Sequence, residues 1–299
     1  MTDIEHVGIV GCGLMGAGIA EVCARADVPV TVVERDAGAA RAGLRRITRS
    51  LDRAAAHGRL GAEHREAAAA LITVTDQIEA LRDSPLVIEA VAEEERLKLD
   101  VFTRLDSVIT DDRTVIATNT SSIPVIRLAT ATARPDCVVG VHFFNPVPVL
   151  RLVELVPSLL TSAETTARAE AFVTGRLGKE VVRTRDRAGF VVNALLVPYL
   201  LAAIRMVESG SATVEDIDRG MVLGCAHPLG PLALTDLIGL DTTRAIAESL
   251  YAEFREPLYS PPPLLSRMVE AGLLGRKSGR GFHTYAQPRH EAPVPAERP

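Results

Sequence analysis

The feature that most constrains this chain is a glycine cluster, Gly11-Cys12-Gly13-Leu14-Met15-Gly16, set between a β-branched run, His6 to Val10, and a helical pattern, Leu14 to Ala26. A loop this short must turn out of a strand and straight into a helix. Gly11 permits the tight turn, Gly13 lets backbone approach a pyrophosphate, Gly16 lets helix and strand pack closely, and the helix N-terminus presents N–H groups to the anion. A second β-branched run, Val28 to Glu34, completes a βαβ unit and ends on a carboxylate able to accept hydrogen bonds from both ribose hydroxyls of an adenosine. The spacing predicts a dinucleotide site that includes Leu14 and Met15, with a bare glycine turn as the alternative. Glu34 argues for NAD over NADP, because a carboxylate repels a 2′-phosphate. The adjacent Arg35 leaves open a guanidinium that stacks on adenine or attracts that phosphate.

The alternation continues. Ile72 to Val74, Leu86 to Val91, Thr114 to Ala117, Cys137 to Phe143, Leu152 to Val156 and Glu180 to Thr184 read as further strands, most of them separated by helical segments. Asp36 to His57, with Leu44, Ile47 and Leu51 at helical spacing, reads as a long exposed helix. The predicted fold class is α/β: a Rossmann-type, doubly wound, mostly parallel sheet followed by an all-helical C-terminal domain. After about Asp186 the strand signal fades, and from Gly189 to Arg255 long apolar-periodic segments are broken at Gly210 and at Pro228 to Pro231. The expected domains are 1–187, with a helical insertion near 36–70, then 188–285, then a proline-rich tail, 286–299, expected to be disordered.

Composition narrows the class. With 299 residues, 47% of them hydrophobic and 24% charged, the chain is long enough for a substantial core and is ordinary for a globular protein. A net charge of −5 argues against a nucleic acid or an anionic membrane as the main partner. The start, Met1-Thr2-Asp3-Ile4-Glu5, has neither a basic nor an apolar signal region, and the longest apolar stretch, Ala194 to Ile204, contains Pro198 and is about half of a roughly 20-residue span. A cytoplasmic protein is expected. Cys12, Cys23, Cys137 and Cys225 form no CxxC pair and read as reduced structural thiols, and no metal site is expected. The basic residues are mostly arginine, which makes Lys98, Lys179 and Lys277 conspicuous.

Candidate chemistry lies on the later strands. His142 falls near the C-terminal end of the Cys137 to Phe143 run, where ligands gather in open parallel sheets, and its side chain suits proton exchange near neutrality. Glu154, inside Leu152-Val153-Glu154-Leu155-Val156, shares a face with Leu152 and Val156. A carboxylate buried there costs several kcal/mol unless a donor meets it. His142 is a natural donor, and a histidine held on one nitrogen presents the other as a base; a rim pairing with Arg151 is the alternative. Asn119-Thr120-Ser121-Ser122 follows another strand and offers an amide and hydroxyls, although Ser122 also fits as a helix cap for Ile123 to Ala129. Spacing assigns no role to Asn193, Lys98 or Lys277. His227, before Pro228, reads as structural. No HExxH, Walker loop or GxSxG appears, which leaves metal hydrolysis, phosphoryl transfer and serine hydrolysis without support.

Taken together, the Gly11 to Gly16 loop, Asn119-Thr-Ser-Ser, His142-Phe-Phe-Asn-Pro-Val-Pro, Leu152-Val-Glu-Leu-Val, Gly189-Phe-Val-Val-Asn, Pro228-Leu-Gly-Pro-Leu and Gly279-Arg-Gly-Phe resemble the L-3-hydroxyacyl-CoA dehydrogenase family, its bacterial 3-hydroxybutyryl-CoA branch in particular. The resemblance runs from about residue 4 to 285. It implies NAD as cofactor, an acyl-CoA substrate and a homodimer, with His142 as catalytic base and Glu154 orienting it. It further implies that Ser121 contacts the substrate's C3 oxygen and the nicotinamide region, that Asn193 holds and polarises substrate, and that Asn145 lies at the substrate. Glu34, Glu93, Lys98 and Lys277 match cofactor-contacting positions, and Ser50 matches one that touches coenzyme A. Where relatives offer a lysine to the coenzyme phosphates, this chain has His57, with Arg49 and Arg53 nearby as substitutes. A carrier-bound thioester is therefore an alternative substrate. More distant alternatives are a free hydroxy or sugar acid, a non-catalytic NAD-binding sensor, and a piece of a multifunctional fatty-acid oxidation protein.

Overall fold

The computed structural model describes residues 3–285, and the tail expected to be disordered, 286–299, lies outside the described residues. The chain divides into two compact units between Val191 and Val192.

The first unit is built on strands β1 (Val7–Val10), β2 (Val30–Val33), β3 (Ile72–Thr75), β4 (Leu86–Glu89), β5 (Val115–Thr118), β6 (Val138–Phe143), β7 (Leu152–Pro157) and β8 (Glu180–Arg183). They form one sheet in the order β3-β2-β1-β4-β5-β6-β7-β8. The first six run parallel in the order expected of a dinucleotide-binding sheet. β7 then turns back antiparallel to β6, and β8 follows it in parallel. The crossovers carry α1 (Leu14–Arg25), α2 (Ala37–Ala56), α3 (Ala62–Ala70), α4 (Glu95–Val108), α5 (Val125–Ala129) and α6 (Ala163–Ala171). The helical insertion is the α2–α3 pair between β2 and β3.

Alternation along the central strands supplies two cores, because successive side chains leave a strand on opposite faces. Ile9, Ile88, Ala117, Val139 and Val141 join α1 and α6 on one face, while Val10, Val87, Ile116 and Val138 join α4 and α5 on the other. The same alternation puts Glu89, Thr118, His142 and Glu154 on the α4–α5 face. The long α2 behaves as its pattern requires, burying Ala40, Gly43, Ile47 and Leu51, although Leu44 stays exposed. Asp36 caps it, its carboxylate accepting from Ala39 N–H at 2.7 Å.

The cap expected for α5 differs. Ser122 does not perform it; Asp186, from the end of the first unit, accepts from Val125 N–H and Ile126 N–H, each at 2.8 Å. A carboxylate at a helix start satisfies two orphan donors and meets the positive end of the dipole.

The second unit consists of α7 (Val192–Glu208), α8 (Val214–Cys225), α9 (Pro231–Ile238), α10 (Leu240–Phe254) and α11 (Pro263–Glu270). Asp218 accepts from Leu232 N–H and Ala233 N–H at the start of α9 and meets His283 Nε2 at 2.8 Å. Asp236 is buried and fixes the segment after α11 through Phe282 N–H, His283 N–H and the Tyr285 hydroxyl. Among the described residues no helix is long and apolar enough to cross a membrane.

Candidate active site

The glycine loop has the form its spacing requires. Gly11 has φ +92, and a Cβ at Gly16 would fall 1.9 Å from the Gly11 carbonyl oxygen, so neither position admits a side chain without rebuilding the turn. Gly13 is the N-cap of α1 and makes no side-chain cap bond, and the space where its Cβ would stand is open for 4 Å. Leu14 beside it is exposed and Met15 half-buried. Glu34 leaves β2 toward this loop, its Oε1 accepting from Cys12 N–H at 2.7 Å and its Oε2 from Arg35 N–H at 3.2 Å. Arg46, from α2, donates to the Cys12 carbonyl. An open, donor-rich helix start with an acid at the end of the second strand fits a dinucleotide. Burial, with the Glu34 charge adding and Arg46 opposing, pushes the Cys12 thiol up to about 12, so it stays protonated. Of the four free cysteines Cys225 alone is exposed, which sets it apart from the buried thiols.

At the carboxyl ends of β5 and β6 the chemistry converges. His142 and Glu154 are register partners in the antiparallel β6–β7 pair, so their side chains stand side by side on one face. Nδ1 of His142 lies 2.8 Å from Oε2 of Glu154, and both residues are buried. Since a carboxylate only accepts, Nδ1 carries a proton, which leaves Nε2 as the nitrogen able to act as a base. The other oxygen, Oε1, accepts from Val191 N–H at 3.0 Å. That N–H is aimed inward by two successive residues at positive φ, Gly189 at +74 and Phe190 at +50. The Phe190 and Phe144 rings flank the imidazole at 5.5 and 4.6 Å. Arg151, the alternative partner for Glu154, pairs instead with Glu180 at the exposed rim.

Beside them, Asn119 accepts from Phe143 N–H through its side-chain oxygen at 2.9 Å, tying the β5 loop to β6. Oε1 of Glu93 gathers the same loop: it accepts from the Thr120 hydroxyl at 2.6 Å, Ser121 N–H at 2.8 Å, Ser122 N–H at 3.0 Å and the Ser122 hydroxyl at 2.9 Å. The Ser121 hydroxyl lies 3.3 Å away. Burial opposes ionisation of Glu93, but Lys98 and these hydrogen bonds prevail and hold its carboxyl below the usual range. Lys98 is 1% exposed, its ammonium 2.7 Å from Oε1 of Glu89 and 3.3 Å from Oε2 of Glu93.

Two residues escaped the sequence reading. Glu89 is fully buried at the end of β4; the only signal was a carboxylate ending an apolar strand. Lys179 was conspicuous but unassigned; its ammonium donates to the Val147 and Leu150 carbonyls at 2.7 Å each and so fastens the loop that follows His142. Burial, reinforced by Arg25, holds that ammonium below its ordinary value against the opposing effect of Cys23.

Asn145 is exposed on the loop after β6, and Ser50 is half-buried on α2, with Arg49 and Arg53 exposed beside it. His57 is the C-cap of that helix, its ring bonded to the Arg53 carbonyl at 2.7 Å. Asn193 sits half-buried in the first turn of α7, Lys277 pairs with Asp241 at 2.6 Å, and His227 meets the Tyr199 hydroxyl at 3.2 Å, all within the second unit.

Comparison with known proteins decides the family. The model of the 3-hydroxyacyl-CoA dehydrogenase NAD binding domain matches residues 6–187, and that of the C-terminal domain of the same family matches 189–285. The chain belongs to the 3-hydroxyacyl-CoA dehydrogenase family. It is 57% identical over 286 residues to the 3-hydroxybutyryl-CoA dehydrogenase of Mycobacterium tuberculosis, covering 95% of this chain and 100% of that one. The crystal structure of M. tuberculosis FadB2 superposes with a TM-score of 0.94 at 57% identity, covering 95% and 99% of the two chains. The (S)-3-hydroxybutyryl-CoA dehydrogenase of Ralstonia eutropha gives 0.90 at 43% identity, covering 95% and 100%. The family's NAD binding domain therefore coincides with the sheet that carries the glycine loop and the His142–Glu154 pair.

Proposed function

We propose that the protein oxidises an L-3-hydroxyacyl-CoA to the 3-ketoacyl-CoA with NAD, or runs the reverse reduction, and that a short-chain substrate of the 3-hydroxybutyryl type is its natural one. The observation that carries this reading is the buried His142–Glu154 pair at the carboxyl end of the sheet, 2.8 Å apart. Names of relatives across nearly the whole chain support the substrate class.

NAD, when bound, supplies the hydride acceptor. Gly11, Gly13, Leu14, Met15 and Gly16 would hold its pyrophosphate, Glu34 its adenosine ribose, and Glu93 with Lys98 the wall near the nicotinamide. His142 Nε2 takes the proton of the C3 hydroxyl while Nδ1–H stays bonded to Glu154, whose charge stabilises the imidazolium that forms. Ser121 donates to the C3 oxygen, Asn193 and Asn145 position the acyl thioester, and Ser50 with Arg49 and Arg53 meets the coenzyme A end. Lys277 is a further candidate cofactor contact, and two chains assemble as a homodimer.

The test is nicotinamide absorbance with acetoacetyl-CoA, comparing NADH with NADPH. Fast turnover with NADH and at most weak turnover with NADPH is expected, because Glu34 opposes a 2′-phosphate. No turnover with either, in protein that binds NADH, would reject the acyl-CoA assignment.

A further inference from the structure

Glu89 has no role in the chemistry above, yet it is a fully buried carboxylate at the centre of the sheet. Both of its oxygens accept hydrogen bonds. Oε1 accepts from Lys98 Nζ and from Val91 N–H, each at 2.7 Å. Oε2 accepts from the Thr118 hydroxyl at 2.8 Å, which itself accepts from Thr120 N–H at 3.2 Å, so the hydroxyl proton is turned toward Glu89. With donors on both oxygens, Glu89 is a carboxylate. Glu93 is one by the same reasoning, since the Thr120 hydroxyl that meets it accepts from Ile123 N–H and Ser122 N–H. Two carboxylates, Glu89 buried and Glu93 partly exposed, share the one buried ammonium of Lys98, and the group carries a net charge of −1.

That group is bonded to the loop that lies beside the base. Glu93 holds the Ser121–Ser122 backbone, and the same loop is tied through Asn119 to β6 beside His142. A carbon whose oxygen faces His142 must lie in contact with the nicotinamide ring for hydride to pass, which brings the ring to this end of the sheet. The oxidised ring is a cation and the reduced ring is neutral. We propose that Glu89 is a positioning and specificity-determining residue that clamps Lys98 against Glu93 and keeps this side of the site negative, so that oxidised nicotinamide is held more tightly, relative to reduced, than it would be without that charge. This rests on the reading that NAD binds here.

The test is calorimetric titration of NAD+ and NADH into wild type and Glu89→Gln. Glutamine keeps the shape and an oxygen for Lys98 and Val91 while one charge goes; its amide must donate to the Thr118 hydroxyl, reversing that one bond, and Thr118→Val controls for this change. A charge lost near the ring in partly desolvated surroundings should weaken NAD+ binding about three- to tenfold and leave NADH within about twofold. Equal weakening of both, or no change in either, would overturn the proposal. Wild type that binds neither nucleotide would instead reject the dinucleotide reading itself. Thr118→Val keeps all three charges and removes one hydrogen bond to Glu89; a ratio of dissociation constants shifted as far as in Glu89→Gln would assign the effect to geometry and overturn the proposal. Should Glu89→Gln fail to fold, Glu93→Gln removes the same charge from the more exposed end, and an unaltered ratio there would be equally decisive against it.

Discussion

At the scale of single residues, the pairing of His142 with Glu154 was legible because burial made one carboxylate conspicuous. Glu154 interrupts an apolar strand, and the only inexpensive solution is a donor on the neighbouring strand; the β6–β7 register supplies His142 directly opposite. What spacing left hidden was the second support, Val191 N–H, because it depends on two left-handed residues, one of them the non-glycine Phe190. His142→Ala should lower kcat by at least about 10²-fold, the usual contribution of a positioned base, while NADH affinity stays unchanged. Turnover near the wild-type rate would remove His142 from the reaction. Glu93 supports a prediction of a different kind. Its folded-state carboxyl is held below its ordinary value of 4.5, so its contribution to stability is present above that value and is lost as pH falls below it. In denaturant titrations across the acid range, Glu93→Gln should therefore show a shallower loss of stability between pH 5 and 3, on the order of those limits, than wild type does. Parallel curves would mean that Glu93 gains nothing from Lys98 and the serines.

At the scale of elements, each of the eight strands of the sheet lies on a run that the pattern had already marked. Parallel strands buried on both faces read as short β-branched runs, and that signal is local. The antiparallel return of β7 was not legible, since nothing in a five-residue apolar run states its direction. Helix ends were read well where the cap is local and poorly where it is distant. Asp36 caps α2 from the adjacent position, whereas α5 takes its cap from Asp186, some sixty residues later in the chain. Truncating that carboxylate, Asp186→Ala, leaves two N–H groups of a short helix without their partner and should cost about 1–2 kcal/mol, measurable as a lower urea midpoint at unchanged m. Ser122→Ala, which the local pattern would have favoured as the cap variant, should disturb the α5 start far less, because neither Val125 N–H nor Ile126 N–H bonds to it. Equal losses in the two variants would show that the assignment of the cap to Asp186 is wrong.

For the whole molecule, the division into a sheet-based unit and a helical unit follows from a change of period near residue 190, where apolar positions stop alternating and begin to recur at helical spacing. The helical unit was legible as helices but its surface was not, because exposure depends on which helix covers which. Leu195 is 74% exposed, Leu223 72% and Leu237 51%. Leucines exposed to water are stabilised by contact with another apolar surface at roughly 25 cal/mol per Å² buried, and the homodimer proposed above would supply that surface from a second copy of the chain. Sedimentation equilibrium should thus give twice the 32.0 kDa chain mass. Leu223→Glu places a charge on one of these side chains, where burial would leave it unpaired, and should shift the species toward the single-chain mass with the helical circular dichroism intact. A wild-type protein that stays at the single-chain mass at micromolar concentration would reject the dimer, and the bare leucines would then need another partner.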